Sequence, residues 1–191
     1  ESMRLHLGYD PHPLRNTVII ALGHKARHGK SWVAKHLASL VPGAVVRGFA
    51  DTLKGHCRVA HGMGRKDPTL LQNVASDLRA KDEDVFVRAL YDTLVEEPPP
   101  LVLIPDLRYE NEARMIKEVG GFLVKVVRLR GDTTHYVPFV SPDRDPQHQS
   151  EVELEHYRGW DHRIIAASGN ISSLEQQSRD VLQRILKDWT Y

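Results

Sequence analysis

An α/β fold is predicted: a parallel β-sheet of about five strands with helices on both faces. Three observations carry it. Residues 17–22, 101–104 and 122–129 are short, nearly continuous apolar runs, the pattern of strands buried on both faces. Segments with helical apolar spacing alternate with these runs, which implies crossover connections and parallel pairing. Gly29-Lys30-Ser31 separates the first run from the first helical segment, at the carboxyl edge where such sheets bind ligands.

The elements follow in order. Residues 17–22 are the first strand. Val33, Leu37 and Leu40 recur at i, i+4 and i+7 and predict a helix, which Val41-Pro42-Gly43 stops. Ala44-Val45-Val46 starts another apolar run, followed by Phe49-Ala50-Asp51. Residues 68–80 and 84–94 are predicted helices, the second with Val87, Leu90, Tyr91 and Leu94 along one side. A loop ending in three prolines precedes the strand at 101–104. Residues 111–119 are helical in period, with Gly120-Gly121 as the stop. The strand at 122–129 leads into a polar, proline-rich segment, 131–149. Ser150 with Glu153, and Ser172 with Glu175, have capping-box spacing. They predict a short helix and a C-terminal helix carrying Leu174, Val181, Ile185 and Trp189. Residues 162–166 are the last strand.

The chain has 191 residues, the size of one domain, and is long enough to bury a core without staples. Twenty-six Lys and Arg nearly cancel 25 Asp and Glu, leaving +1, which argues against a dedicated duplex-DNA binder but not against a local basic groove. The single cysteine, Cys57, excludes an intrachain disulfide and a Cys-rich zinc site, and reads as a small buried residue. The 11 histidines are scattered, with no HExxH motif. No apolar run approaches the ~20 residues that span a bilayer. Residues 3–16 are polar and proline-punctuated, unlike a signal peptide, and Glu1-Ser2 ahead of Met3 reads as an expression remnant. A single soluble domain in the cytoplasm is expected.

The chemistry is sought behind each strand. Gly23-His24-Lys25-Ala26-Arg27-His28-Gly29-Lys30-Ser31 joins the first strand to the first helix. Gly29-Lys30-Ser31 opening a helix is the core of a phosphate-binding loop, in which backbone N–H groups and the helix N-terminus face phosphates. Lys30 is then placed at the β- and γ-phosphates and the Ser31 hydroxyl on Mg²⁺. The usual spacing, G-x-x-x-x-G-K-[ST], puts His24 at the first glycine. Either His24 takes that place, or the loop is one residue longer and begins at Gly23. Behind the third strand lie Asp106 and Arg108: an acid able to hold Mg²⁺ through water or accept a proton, and a cation able to neutralise a transferring phosphoryl group. Asp51 and Lys54 flank the second strand, and Gln72, Asp77 and Arg79 follow, positions from which an acceptor's base and phosphate can be contacted. Arg128, Arg130, Arg144 and His148 lie in a long loop that reads as a lid over about 130–150. Trp32 and Trp160 read as packing residues, with Trp32 on the phosphate-loop helix.

Several of these motifs, in this order, resemble the bacteriophage-type deoxynucleoside monophosphate kinases of the P-loop NMP-kinase superfamily. Lys25-Ala26-Arg27-His28-Gly29-Lys30 resembles that family's phosphate loop. Phe49-Ala50-Asp51-Thr52-Leu53-Lys54 resembles its FA-x-x-LK segment, and Leu70-Leu71-Gln72 with Asp77 and Arg79 its next element. Asp106-Leu107-Arg108-Tyr109-Glu110-Asn111-Glu112-Ala113 resembles its D-x-R-x-x-NEA stretch. His148-Gln149-Ser150-Glu151, then Asp161 and Ile164, resemble its H-x-SE and following strand. The resemblance spans about residues 17–185 and implies one P-loop kinase domain over 1–191, with an acceptor-binding segment at about 49–95. It implies an ATP- and Mg²⁺-dependent transfer to a deoxynucleoside monophosphate, giving the diphosphate. Catalytic residues are then Lys30, Asp106, Arg108 and Arg128. The nucleotide site is Gly23, Lys25, Ala26, Arg27, His28, Gly29, Lys30, Ser31 and Trp32, and Mg²⁺ falls to Ser31 and Asp106. The acceptor side is Asp51, Lys54, Gln72, Arg79, Arg144 and His148. The resemblance leaves a homodimer open, and a phage-encoded chain works in the host cytoplasm.

Two alternatives stand beside this reading. A related branch of phage P-loop kinases phosphorylates the hydroxymethyl group of a 5-hydroxymethyl pyrimidine, such as 5-hydroxymethyluridine, already in DNA during base hypermodification. That acceptor needs a basic track and a pocket for an extruded base. Arg58, His61, Arg65, Lys66, Arg79, Lys81 and Arg88 offer a track, interrupted by Asp67, Asp77, Asp82, Glu83 and Asp84. The second alternative is a nucleotide switch with no acceptor.

Overall fold

The computed structural model describes residues 8–130 and 137–189. Residues 1–7 of the N-terminal segment read above, and 131–136 of the lid-like loop, lie outside the described residues. The elements are β1 (Val18–Gly23), α1 (Lys30–Leu40), β2 (Val45–Val46), α2 (Asp51–Ala60), α3 (Pro68–Lys81), α4 (Val85–Glu96), β3 (Leu101–Leu107), α5 (Glu110–Glu118), β4 (Phe122–Arg130), β5 (Val137–Pro138), α6 (Gln149–Val152), β6 (His162–Ala167) and α7 (Ile171–Trp189).

Five strands run parallel in the order β2-β3-β1-β4-β6. β1 lies in the middle, with Val18 opposite Leu101 on one side and Ile20 opposite Phe122 on the other. The two-residue β5 adds an antiparallel rung to the end of β4, with Leu129 opposite Pro138. The expected parallel α/β sheet is therefore present, with this one antiparallel addition.

All six residues of β1 are buried. The alternation along the strand assigns its faces. Ile19 and Ala21 pack with Leu53, Val74, Phe86, Leu90 and Ile116, so α2 to α5 cover one face. Val18, Ile20 and Leu22 pack with Val33, Leu37, Val181 and Ile185, so α1 and α7 cover the other. Cys57 is buried, as expected of a lone small apolar residue.

Several boundaries differ from the sequence expectation. β3 runs through Leu107, so Asp106 lies in the strand rather than after it. α2 carries only two buried residues, Leu53 and Cys57, one turn apart, and that single pair is too short a period to reveal a helix from sequence. Of the three apolar positions that predict α1, Val33 and Leu37 are buried, whereas Leu40, the last residue of the helix, is 42% exposed. The short helix α6 is capped by His148, whose ring accepts the Ser150 N–H at 3.1 Å, and not by Ser150. At α7 the Asn170 carboxamide accepts the Ser173 N–H, so Asn170 caps the helix in place of Ser172.

The outer strand β6 pairs with β4 alone among the described residues. An open edge invites pairing with another chain. Gln177 of α7 covers part of it: its amide accepts the Ile165 N–H at 3.0 Å and donates to the Ile165 carbonyl at 2.7 Å. Replacing Gln177 with Ala removes both bonds at a partly solvated site. A loss of about 1 kcal/mol in unfolding free energy is expected, measured by urea denaturation; an unchanged midpoint would show that water replaces the amide without cost.

Candidate active site

The loop after β1 answers a question of spacing. His24 has φ +102°, Arg27 +58° and Gly29 +96°. His24 thus adopts the left-handed backbone that a first loop glycine would supply, while Gly23 remains the last residue of β1. The loop is not one residue longer. The Lys30 ammonium donates to the His24 carbonyl at 2.6 Å, folding the loop around a buried cation. Burial and the Arg108 charge push the Lys30 ammonium well below its ordinary range, and the Glu151 and Asp106 carboxylates act against that shift.

Two imidazoles support the loop. His24 is buried, and burial, with Lys125, His28, Lys25 and Lys30 nearby, lowers it to about 3. His28 meets the His24 ring edge-on at 5.4 Å. Its Nε2 lies 2.7 Å from the Phe139 carbonyl and its Nδ1 accepts the Arg128 N–H at 3.0 Å, so the proton sits on Nε2. Burial lowers His28 too, which suits this neutral form. His28 therefore ties the phosphate loop to β4 and to the segment after β5.

Asp106 serves the second strand's exit. Its Oδ1 accepts the Phe49 N–H and its Oδ2 the Ala50 N–H, both at 2.9 Å. A Cβ at position 48 would come within 2.7 Å of Asp106 Oδ2, so only glycine allows this approach. Asp51 accepts the Gly48 N–H at 2.9 Å. Two carboxylates thus fix the turn that launches α2.

Glu112 is buried and accepts the N–H groups of Arg108 (2.8 Å) and Tyr109 (3.2 Å). Burial and the Asp106 charge push its carboxyl up to about 8, against those bonds and Arg79. Arg79 lies 3.8 Å from Glu112 and packs over the rings of Tyr109 (4.2 Å) and Phe86 (4.7 Å). Arg108 pairs with Glu151 at 2.7 Å and not with Asp106.

These groups converge on one cleft of about 810 Å³. Its walls include Ala26, Arg27, Gly29, Lys30, Ser31 and Trp32 of the loop and α1, Asp106 and Arg108 at the end of β3, and Asp51, Lys54, Gln72, Arg79, Arg144 and His148. Four expected site residues do not line it. Gly23 is buried in β1, His28 works from behind the loop, and Lys25 pairs with Glu155 at 3.4 Å. Arg128 donates to Ser168 Oγ at 2.8 Å and to the Arg27 carbonyl at 3.3 Å, and packs over Phe139 at 4.0 Å. Asp77 is exposed on α3. Trp32 lines the cleft and stacks on His36 at 4.9 Å.

The sequence did not single out Lys66, Tyr109 or Asp143 for this cleft, though all three line it. Burial, then Lys54, Arg144, Arg108 and Arg27, lower the Lys66 ammonium, so it belongs to a concentrated positive field. Lys66 stood out only as part of a charged stretch, and its place here depends on the turn between α2 and α3. Asp143 bonds Arg27 and Ser141, so the loop after β5 is held against the phosphate loop. Among the described residues, no helix is long and apolar enough to cross a membrane, and no group of three or more His, Cys, Asp or Glu is placed to hold a metal.

No protein-family model matches the chain. A protein of Acanthamoeba polyphaga mimivirus, named "Putative deoxynucleotide monophosphate kinase", is 28% identical over 177 residues, covering 75% of this chain and 86% of the relative. Among solved structures, TT1252 from Thermus thermophilus matches with a TM-score of 0.52 at 18% identity, over 88% of this chain and 98% of that one. Shikimate kinase from Acinetobacter baumannii matches at a TM-score of 0.49 and 15% identity, over 95% and 100% of the two chains. The chain has the α/β P-loop NTPase fold, shown by its strand order, its loop and the TT1252 likeness.

Two predictions test the site's construction. His24→Gly relieves the left-handed backbone, whereas His24→Ala keeps it; both lose the ring. The glycine variant should be the more stable by about 1 kcal/mol, measured by urea unfolding, and equal stabilities would show that the loop holds His24 without strain. Glu112 keeps its proton to about 8 in the folded chain, against an ordinary value of 4.5. Its contribution is therefore complete below pH 4.5 and is lost as pH rises towards 8. Glu112→Gln cannot ionise, so its melting temperature should gain on the wild type's steadily from about pH 5 to 8. A constant difference across that range would show that Glu112 is ionised in the fold.

Proposed function

We propose that this chain is a phosphotransferase that moves the γ-phosphoryl group of ATP to a deoxynucleoside monophosphate. One observation carries the reading: a single cleft has the phosphate loop on one wall and Asp51, Lys54, Gln72 and Arg79 on the other. A nucleotide switch needs only the first wall. The name of the mimivirus relative favours a deoxynucleotide as the acceptor.

Lys30 and the amides that open α1 receive the β- and γ-phosphates. Bound phosphate also reverses the unfavourable burial of the Lys30 ammonium. Arg108, Arg144 and Lys66 supply positive charge over the transfer region, and Arg79, Lys54 and Gln72 orient the acceptor. The acceptor's phosphate oxygen attacks the γ-phosphorus in line. A new O–P bond forms as the bridging bond to the β-phosphate breaks, and ADP carries off the electron pair. The attacking oxygen is already ionised near neutral pH, so no strong base is needed. Positioning and charge neutralisation supply most of the acceleration.

The residues present suit Mg²⁺ brought in by the phosphates. Ser31 is exposed in the cleft, and Asp106 keeps lone pairs beyond its two backbone bonds. Ser31 directly, and Asp106 through water, would hold it, and its charge would offset that of the transferring group. Asp106 also anchors the start of the acceptor segment. Arg128 would act from outside the cleft, by fixing the Arg27 carbonyl.

The test is ATP consumption with Mg²⁺ and, in turn, each of the four deoxynucleoside monophosphates, 5-hydroxymethyl-dUMP, and DNA containing 5-hydroxymethyl pyrimidines. Stimulation by a free monophosphate with the diphosphate as product is expected. Lys30→Ala should lower that turnover at least about a hundredfold with an unchanged circular dichroism spectrum. Stimulation by modified DNA alone would replace the acceptor assignment, and slow hydrolysis indifferent to all acceptors would sink it.

A further inference from the structure

Glu151, the last residue of the His148-Gln149-Ser150-Glu151 motif, has no part in the transfer chemistry, yet its carboxylate binds two residues of the cleft wall. Glu151 is 7% exposed. Its Oε2 accepts the N–H of Ala26 in the phosphate loop at 3.1 Å, and its Oε1 accepts Arg108 Nη1 at 2.7 Å. The three residues come from three segments of the chain, with Ala26 and Arg108 lying 125 and 43 positions from Glu151 in sequence. Glu151 does not line the main cleft, whereas Ala26 and Arg108 do. The carboxylate therefore grips both from behind the wall.

Its own placement is built. The Glu151 N–H donates to the His148 carbonyl at 2.8 Å, and the His148 ring holds Ser150 through its N–H at 3.1 Å and its Oγ at 2.8 Å. A single helical turn is thereby fixed with its acid aimed inward. Glu151 is also the counter-charge felt by Lys30 and Arg144 as well as Arg108.

We propose that Glu151 is a positioning residue: it couples Arg108 to the phosphate loop, so that both meet one polyphosphate chain in a fixed relative geometry. While the bond stands, the Ala26 amide is committed to Glu151, and the phosphates take the amides at the start of α1. Holding a flexible guanidinium in place before the ligand arrives removes an ordering cost from binding. A carboxylate that merely stood near the site would instead repel phosphate. The inference rests on the phosphotransferase reading only in taking the loop as a phosphate site.

A double-mutant cycle on Glu151→Gln and Arg108→Gln separates these cases. The readout is the affinity for inorganic tripolyphosphate by calorimetry, with melting temperatures as a check on folding. Glu151→Gln should weaken binding roughly ten- to a hundredfold in the wild-type background. It should change binding less than about twofold when Arg108 is already Gln, the additivity expected of an uncoupled position. Equal losses in both backgrounds, or tighter binding by Glu151→Gln, would overturn the proposal. Should Glu151→Gln fail to fold, Glu151→Asp, one methylene shorter, is put through the same cycle with the same two criteria. Coupling without transfer to any acceptor leaves this proposal standing and removes the kinase reading. Transfer without coupling does the reverse.

Discussion

β1 is buried along its whole length, and that constraint organises the rest of the chain. A strand covered on both faces and flanked by β3 and β4 has no solvent-facing side for polar groups. They can emerge only at its ends. At the carboxyl end the loop must turn sharply into α1, and it does so with three residues at positive φ and a buried lysine bonded to its first carbonyl. The helix N-terminus, the loop amides and the ammonium are thereby concentrated at one point. β3 delivers Asp106 and then Arg108 to the same edge, because parallel strands share their direction.

Three acidic side chains then hold this edge together, each by accepting backbone N–H groups. Asp106 holds residues 49 and 50, Glu112 holds 108 and 109, and Glu151 holds 26 together with the Arg108 guanidinium. The start of α2, the end of β3 and the loop between β1 and α1 are thus fastened by acids from different elements. A buried acid with such partners costs desolvation, and burial accordingly raises the Glu112 carboxyl. What the arrangement provides is geometry: cations that would otherwise repel and spread are kept at fixed spacing around a space able to take phosphates. His28 adds a neutral fastening from the other side of the loop.

Much of the architecture was legible because its signals are local. The largely apolar runs at 17–22, 101–104 and 122–129 correspond to β1, β3 and β4. The helix expected over 68–80 is α3, and the structure adds its cap: the Asp67 carboxylate accepts the Leu70 N–H at 3.1 Å. α2 was not legible, because its apolar period is one pair long. Nor were the caps of α6 and α7. Ser150-x-x-Glu153 has the right spacing, yet His148 does the capping. Spacing records which residues can bond, and the path of the chain selects among them.

The chain's own pattern suffices for the alternation of strands and helices and for the loop that carries Gly29-Lys30-Ser31 from β1 into α1. Each depends largely on local patterns, where propensity and spacing act directly. Long-range packing is what puts His24 in a glycine's conformation, pairs Arg108 with Glu151 and not Asp106, and leaves Arg128 outside the cleft wall. The Arg108 and Arg128 outcomes depend on partners 43 and 40 positions away in sequence, brought to 2.7 and 2.8 Å. Those partners are chosen by how the helices seat on the sheet, and a one-dimensional pattern does not encode that distance.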